Sequence, residues 1–266
     1  MKERILSLVS PEYPWKEQFH WVEQTGSTND DLKALARQGA PHGTVLIADR
    51  QSGGHGRMGR SFHSPGGVGI YFSILLRPKC DPGELMHLTC ATAVAMCDAV
   101  EKAVGLRPGI KWTNDLVYQK RKLGGILTEL GISPKGGVDY AIIGIGINCC
   151  QQEADFAEDI RNIAASLSMV TGKEIQRETV AAAMMEALWK MDQDLLKEKA
   201  RILGRYRTDC ITIGQRISLL RVGEEVRHGT AIGMDDEGAL LVKFENGQVE
   251  TVNSGEVSVR GMYGYL

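Results

Sequence analysis

The chain has 266 residues, 43% of them hydrophobic, which is enough for one sizeable core and a smaller second domain. Its formal net charge of −2 gives no electrostatic footprint for non-specific nucleic-acid binding. The six cysteines are scattered without C-x-x-C spacing, which gives no support to zinc-ribbon or thioredoxin sites and indicates a reducing compartment. We find no apolar secretory segment at the start and no membrane-length apolar run, so we expect a cytoplasmic protein outside the membrane.

The first clear element is a helix start at Ser27, Thr28 and Asn29, after a short mixed segment. Side-chain oxygens of these types can cap free helical amides, and the two acidic residues that follow favour the positive end of a helix. Apolar residues then recur at helical spacing until Gly39, which can end the helix. Taken alone, the three polar residues are ordinary capping residues.

The most unusual stretch is residues 49–69, here called the Gly/Arg loop, which carries seven glycines together with Arg57 and Arg60. Its central glycines match G-x-G-x-x-G, but proline and paired glycines follow where the dinucleotide-binding motif requires a helix. Bare glycine amides can approach an anion closely, and arginine forks suit carboxylate or phosphate. The alternative is a solvated surface loop, but a structureless loop of about 20 residues is uncommon in a compact domain and is often functional. We therefore predict a flexible anion-binding loop.

Apolar strands lie on both sides of this loop, at residues 44–48 and 69–77. A long amphipathic helix is predicted from Pro82 to about Val104. The other elements predicted before Tyr206 are two short strands within 110–118 around a polar turn, strands at 122–131 and 138–147, and helices at 157–170 and 179–199.

Beyond Tyr206 the pattern changes to short strands separated by turns, one of them an Asn-Gly hairpin turn. The predicted strands are 217–220, 226–234, 239–244 and 249–252. This alternation indicates a small β-barrel, so we divide the chain into a domain of residues 1–209 and a C-terminal domain of residues 210–266.

Several of these features together resemble one known family. The stretches are QSGGHGRMGR, KWTNDLVYQKRKLGGILTEL, GIGIN and the C-terminal EGALLV and GEVSVR. They are similar to those of the biotin protein ligases, whose pattern reads Q-x-x-G-R-G-R-x-G-R in the loop and KWPND with KLGGIL after it. The resemblance covers nearly the whole chain, and its motifs are specific in combination.

The resemblance implies an α+β fold, with a mixed β-sheet catalytic domain packed with helices and a small C-terminal SH3-like β-barrel. It implies an enzyme that makes biotinyl-5′-AMP from biotin and ATP with Mg²⁺. The enzyme then passes biotin to one lysine of the biotin carboxyl carrier domain of a biotin-dependent carboxylase. A homodimer is implied as well. Only 26 residues precede Ser27, too few for the DNA-binding module of some family members, so no DNA partner is expected.

The resemblance also implies which residues serve each ligand. Those implied for biotin are Ser27, Thr28, Asn29, Gln51, Gly54, His55, Gly56, Arg57, Trp112, Lys122 and Gly124. Those implied for ATP are Arg57, Arg60, Lys111, Asn114, Asn148 and Arg260, with Asp115 for Mg²⁺. The implied catalytic residues are Arg57, Lys122 and Asp115. Trp112 would wall the pocket, although an ordinary core aromatic residue is an equal alternative.

The first reaction step explains why cations are needed. It brings the carboxylate of biotin against the α-phosphate of ATP, and two like charges about 4 Å apart repel by roughly 4 kcal/mol at an effective dielectric of 20. Arg57 and Lys122 are the candidates to offset this repulsion. Asp115 is negatively charged and would be repelled by phosphate. We therefore assign it as a ligand of Mg²⁺, or as the base that removes the proton from the carrier lysine. The Gly/Arg loop would close over the water-labile product.

Two positions depart from the family pattern, and three alternative functions stay open. His55 replaces an arginine, which removes a fixed charge, and Thr113 replaces proline. A lipoate–protein ligase would share the fold and the two-step chemistry, but Trp112 and the Gly/Arg loop favour biotin. The charge balance counts against a DNA-binding regulator, and the Arg-bearing loop counts against a purely structural protein.

Overall fold

The computed structural model describes residues 1–221, 224–253 and 257–261, with backbone alone at 221 and 257–261. The helices are α1 (Lys2–Leu8), α2 (Thr28–Arg37), α3 (Leu88–Val104), α4 (Leu167–Thr171), α5 (Arg177–Asp194) and α6 (Lys199–Asp209). The strands are β1 (Phe19–Thr25), β2 (Thr44–Gln51), β3 (Gly69–Leu76), β4 (Gly109–Lys111), β5 (Asp115–Tyr118), β6 (Arg121–Ile132), β7 (Val138–Asn148), β8 (Arg216–Arg221), β9 (Arg227–Met234), β10 (Leu240–Phe244), β11 (Val249–Val252) and β12 (Val257–Gly261). None of the helices in these ranges combines the length and apolar character that a membrane crossing requires.

The larger sheet has seven strands in the order β1-β2-β3-β7-β6-β5-β4. The pair β1 and β2 is parallel, because α2 carries the chain back across the sheet, and every other pair is antiparallel. The sheet is therefore mixed and packed with helices, as the α+β prediction requires. The Gly/Arg loop connects β2 to β3 near the middle of this sheet.

The two faces of the larger sheet are covered differently. On one face, β7 directs Ile143, Ile145 and Ile147 into a core that also contains buried residues of α3 and α5. On the other face, α2 packs its Leu32 and Ala36 in a second cluster that includes residues of β2, β3 and β7. This second cover is short, since α2 has only 10 residues, and the rest of that face is available for a cavity.

The predicted helix at 157–170 is wrong. The segment forms turns, and α4 begins only at Leu167, after Ser166 accepts a hydrogen bond from the amide of Met169. The amide of Ala165 donates to the carbonyl of Lys122, and the amide of Lys122 donates to the carbonyl of Ile163. These bonds hold residues 163–165 beside β6, so the turns before them do not continue as a helix into α4. The predicted helix at 179–199 corresponds to α5, which ends at Asp194. The elements α1, β1, α6 and β12 lie outside the sequence prediction, apart from Lys199 at the start of α6.

The C-terminal strands form a second sheet in the order β11-β10-β9-β8-β12, with antiparallel pairs throughout. The turn between β9 and β10 docks on α6. Arg207 donates to the carbonyl of Asp235 at 2.9 Å and pairs with Asp236 at 2.9 Å, and Lys199 pairs with Glu237 at 2.6 Å. The small sheet is thereby held against α6.

Candidate active site

A cavity of about 760 Å³ opens where α2 leaves the larger sheet uncovered. Its floor includes alternate residues of β7: Gly144, Gly146 and Asn148. The strand register places Ser73 of β3 beside Gly144, and Gly125 of β6 beside Gly146. Four residues along a strand span about 13 Å, so the floor defines an axis that runs from Gly144 to Asn148.

Glycine is required on this floor because other elements approach it closely. A Cβ atom at Gly144 would collide with the amide of Asn29, and one at Gly146 would collide with the ring of Phe62. Since glycine has no Cβ, the start of α2 and the Gly/Arg loop can both come down onto the strand. The space that remains between them is the cavity.

The Gly144 end of the cavity is a hydrogen-bonded polar cluster at the start of α2. The hydroxyl of the fully buried Ser73 lies 2.6 Å from Asn29 Oδ1 and 2.7 Å from Thr28 Oγ1. Both the amide and the hydroxyl of Thr28 donate to Gln51 Oε1, at 2.9 and 3.0 Å. Asn29 Nδ2 donates to Glu129 Oε2 at 2.8 Å. These bonds fix the orientation of both amide side chains.

That orientation presents hydrogen-bond donors to the cavity. An amide nitrogen carries two hydrogens. One from Asn29 bonds Glu129, and one from Gln51 bonds the hydroxyl of Ser64 at 3.0 Å. Because Asn29 and Gln51 both line the cavity, the second hydrogen of each can serve an oxygen atom of a ligand. This end suits a neutral polar group that contains a carbonyl oxygen.

Two cations line the middle of the cavity. Lys122 Nζ pairs with Asp115 Oδ1 at 2.6 Å and lies 3.2 Å from the point that a Cβ of Gly125 would occupy. Arg57 Nη1 donates to Asn114 Oδ1 at 3.2 Å. Burial lowers the pKa of the Arg57 guanidinium, and the nearby Asp115 carboxylate opposes this shift. Lys122 thus contacts Asp115, and Arg57 contacts the neighbouring Asn114. Positive charge is therefore concentrated in one part of the cavity, where two negatively charged substrate groups could be brought together.

The Gly/Arg loop lies across this cavity as a small irregular hairpin. The amide of Gly56 donates to the Arg60 carbonyl at 2.7 Å, and the amide of Phe62 donates to the Gly54 carbonyl at 2.8 Å. Met58 adopts a left-handed backbone with φ of 58°. The chain then enters β3 rather than a helix, so the dinucleotide-binding alternative is wrong.

The structure brings most of the predicted site residues to this one cavity. Those that line it are Ser27, Thr28, Asn29, Gln51, His55, Gly56, Arg57, Arg60, Lys111, Trp112, Asn114, Asp115, Lys122 and Asn148. Gly54 and Gly124 are not among the lining residues, and Gly125 lines the cavity beside Gly124. The side chain of Arg260 lies outside the described residues. Ser27 is the N-cap of α2, but its side chain makes no capping hydrogen bond.

Trp112 combines the two alternatives considered for it. It is buried and lines the cavity, and its Nε1 donates to the carbonyl of Gly238 in the β9–β10 turn at 3.0 Å. Its amide donates to Thr212 Oγ1 at 2.9 Å. The next residue, Thr113, accepts a hydrogen bond at its carbonyl from the Tyr206 hydroxyl at 3.1 Å. The indole therefore connects the cavity wall to the C-terminal sheet.

Ser73, Glu129 and Gln151 were not predicted as site residues. Ser73 is a polar residue in the otherwise apolar strand β3, a signal that marks a side chain with a specific partner. Glu129 gives a weaker signal, because β6 contains other polar residues. Gln151 lies beyond the GIGIN motif in a segment that reads as ordinary polar sequence. Their importance depends on partners far away along the chain.

The cavity has carboxylates that could bind Mg²⁺ together with a substrate. Within 1–221, 224–253 and 257–261, no three His, Cys, Asp or Glu side chains converge as a complete metal site would require. The carboxylates that line the cavity are those of Asp115 and Asp159. Mg²⁺ commonly binds through one or two carboxylates together with substrate phosphates, so the residues fit a metal that arrives with a nucleotide.

Two family models match successive parts of the chain. The model of the Biotin/lipoate A/B protein ligase family matches residues 21–148, and that of the Biotin protein ligase C terminal domain matches residues 212–260. The bifunctional ligase/repressor BirA of Bacillus spizizenii is 35% identical over 234 residues, which cover 88% of this chain and 71% of that protein. The biotin–[acetyl-CoA-carboxylase] ligase of Mycobacterium tuberculosis is 30% identical over 97% of this chain and 95% of that protein.

A solved structure has a similar fold. The biotin protein ligase from Aquifex aeolicus, in complex with biotin and ATP, is 31% identical and has a TM-score of 0.76. The match covers 91% of this chain and 98% of that chain. Because relatives at this level of identity extend over nearly the whole sequence, the chain belongs to the biotin protein ligases of the Biotin/lipoate A/B protein ligase family.

Proposed function

We infer that this chain is a biotin–[biotin carboxyl-carrier protein] ligase. It uses ATP to convert biotin to biotinyl-5′-AMP and transfers biotin to a lysine of a carrier domain. The observation that carries this inference is the order of groups along one cavity. A neutral polar cluster lies at Gly144, two cations contact the Asn114–Asp115 pair in the middle, and the cavity continues to Asn148.

The polar cluster favours biotin over lipoate. Biotin ends in a cyclic urea whose carbonyl oxygen can accept the remaining hydrogens of Asn29 and Gln51, whereas the dithiolane ring of lipoate has no comparable acceptor. Lipoate would leave buried donors unpaired, at a cost of about 1–3 kcal/mol for each group. Such a site discriminates strongly between the two acids, because the cost of unpaired buried donors is incurred only when lipoate, which lacks the carbonyl oxygen, is bound.

We propose that Lys122 and Arg57 stabilise the first step. A carboxylate oxygen of biotin attacks the α-phosphorus of ATP, the bond to the β-phosphate oxygen breaks, and pyrophosphate leaves with the bonding electrons. Negative charge develops where Lys122 Nζ lies over Gly125. Fixed cations in a site that excludes water act strongly on such charge. The ring of Phe62, which covers Gly146, supports a role of the loop in excluding water.

In the second step, the amine of the carrier lysine attacks the acyl carbon and AMP leaves. The amine must lose a proton, and we propose Asp115 as its acceptor once Lys122 has moved to the substrate anions. Asp115 is also the proposed residue for Mg²⁺, which would neutralise phosphate charge when it arrives with ATP. The remaining ATP-site assignments, Arg60, Lys111, Asn114, Asn148 and Arg260, are proposals of the same kind.

Further assignments follow from the family and stay proposals. They are a boundary between domains at residues 209 and 210, a homodimer formed through the larger sheet, a cytoplasmic location, and a carboxylase carrier domain as the protein substrate. Sedimentation of the chain with and without biotin and ATP measures the oligomeric state directly.

The function is tested by calorimetry with biotin and lipoate, followed by pyrophosphate release with ATP. We expect biotin to bind and to support pyrophosphate release, and lipoate to do neither. Ser73→Ala is a useful variant, because it removes the hydroxyl behind Thr28 and Asn29 and should weaken biotin binding without changing the affinity for ATP. Preference for lipoate, or the absence of binding to either acid, would contradict the proposed function.

A further inference from the structure

Gln151 at the Asn148 end of the cavity has a buried acceptor oxygen without a partner. Gln151 is 2% exposed and lines the cavity. Its Nε2 donates to Asn148 Oδ1 at 3.2 Å, while its Oε1 has no hydrogen-bond partner among the residues that the structure describes. A buried acceptor left in this state carries a cost in free energy, so its persistence calls for a ligand donor.

The orientation of this oxygen is set by a backbone group. The carbonyl of Ala165 only accepts hydrogen bonds, so Asn148 must direct its Nδ2 to it, and the distance is 3.1 Å. Asn148 Oδ1 then faces Gln151, and because this oxygen only accepts, Gln151 must donate to it from Nε2. The hydroxyl of Ser166 also holds the carbonyl of Gln151 at 2.6 Å. This series of hydrogen bonds places the acceptor Oε1 of Gln151 away from Asn148. It excludes the alternative orientation of Gln151, in which the amide oxygen and nitrogen exchange places.

The place of Gln151 in the cavity indicates which part of a ligand it meets. Asn148 lies about 13 Å along β7 from Gly144, where the polar cluster is, and the cation Lys122 lies over Gly125, opposite Gly146, between them. The segment beyond Gln151 also lines the cavity, with the apolar residues Phe156, Ile160, Ile163 and Ala164 and the exposed Asp159. A largely apolar wall with a buried acceptor that has no protein partner among the described residues suits a planar heterocycle that carries an amino group.

We propose that Gln151 is a specificity-determining residue that accepts a hydrogen bond from the 6-amino group of the adenine of ATP. The proposal rests on the proposed function, because it takes ATP as the substrate. Adenine carries its amino group where guanine carries a carbonyl oxygen. The carbonyl oxygen of guanine would face Gln151 Oε1, and two acceptors cannot form a hydrogen bond with each other. The same residue therefore disfavours GTP.

The test measures kcat/KM for biotin adenylation with ATP and with purine riboside triphosphate, which has hydrogen in place of the amino group. The wild type should use ATP about tenfold better. In Gln151→Met, which removes the amide at similar volume, the ratio should fall to about one. The matched control is Gln152→Leu, because this neighbouring glutamine is exposed and should leave the ratio unchanged. A purely structural role would lower both rates and keep the ratio.

Two results would overturn the assignment. One is a wild-type ratio near one, and the other is a ratio in Gln151→Met that stays at the wild-type value. A third arm uses 2′-deoxy-ATP, since ribose hydroxyls are also donors. If Gln151→Met loses sensitivity to the 2′-hydroxyl rather than to the amino group, adenine readout is wrong. Gln151→Leu serves if the methionine variant does not fold. Failure of the proposed function is distinct, because no nucleotide would then yield biotin adenylate.

Discussion

The two faces of β7 show how one strand can serve stability on one side and function on the other. Towards α3 and α5 it presents a row of isoleucines at 143, 145 and 147, each at most 3% exposed. Towards the cavity it presents Gly144, Gly146 and Asn148. The isoleucine face is filled and contributes to the core, whereas the glycine face leaves room for a ligand. The comparison predicts that substitutions on the two faces change different measurable quantities.

The largest expected effect on activity without loss of stability comes from Lys122→Ala. We expect adenylate formation to fall by about 100- to 1,000-fold, because the cation that faces the developing charge is removed. Stability should change by no more than about 1 kcal/mol, since the pair with Asp115 is partly exposed. Pyrophosphate release measures the first quantity and thermal unfolding the second. Lys120→Ala, in the exposed β5–β6 turn, is the control. Near-normal pyrophosphate release would refute the role of Lys122.

Adjacent residues of β7 test the comparison most directly. Gly144→Ala should weaken biotin binding roughly 100-fold, because its Cβ displaces Asn29 from the polar cluster. Ile143→Ala, at a residue that is 0% exposed and does not line the cavity, should instead lower the free energy of unfolding by about 2–5 kcal/mol through a cavity in the core. Calorimetry with biotin and denaturant unfolding measure the two effects. Equal losses of affinity in both variants would break the separation between the faces.

A smaller effect concerns the loop that covers the glycine face. Arg57→Gly should release the adenylate about tenfold faster, because a charge-assisted contact is lost, and should label bystander proteins. The measurement is the amount of biotin attached to an unrelated lysine-rich protein that is incubated together with a carrier domain. Met58→Gly, in the same turn, adds backbone freedom without removing a cation and should not label bystanders. Labelling confined to the carrier in Arg57→Gly would contradict the proposed closure of the loop.

The smallest expected effect is a pH dependence of stability on the core side. His87 is 1% exposed, its Nε2 donates to the Leu195 carbonyl at 2.8 Å, and its Nδ1 is buried without a partner among the described residues. Burial lowers the pKa of His87, and the bond to Leu195 opposes the shift. Between the folded pKa and about 6.5 the unfolded chain binds more protons, so stability falls as the pH falls.

Thermal unfolding between pH 7.5 and 5 checks this sign. The slope from one histidine is at most about 1.4 kcal/mol per pH unit. His87→Gln should remove that part of the slope, and His63→Gln, exposed in the Gly/Arg loop, should retain it. An identical pH profile in the wild type and His87→Gln would show that His87 does not contribute. Activity measurements serve as a second readout, because His87 does not line the cavity.

Local patterns predicted most of the larger sheet, because runs of apolar residues with turn residues between them encode strands within a few positions. The Gly/Arg loop and the start of α2 were predicted on the same basis. The helix predicted at 157–170 was wrong because residues 163–165 pair with Lys122 on a distant strand, and no local signal records that pairing. The elements α1 and β1 were missed because short mixed segments carry weak periodicity.

The amino-acid sequence by itself determined the residue types of the site and their order, since motif glycines, arginines and Lys122 act through intrinsic conformational freedom and charge. Only the tertiary structure decided which polar atoms face the ligand. Ser73, Glu129 and Gln151 owe their roles to hydrogen bonds with partners that other strands or segments bring into reach. The orientation of an amide depends on the acceptor beside it, and the packing of the sheet, not the spacing of residues, selects that acceptor.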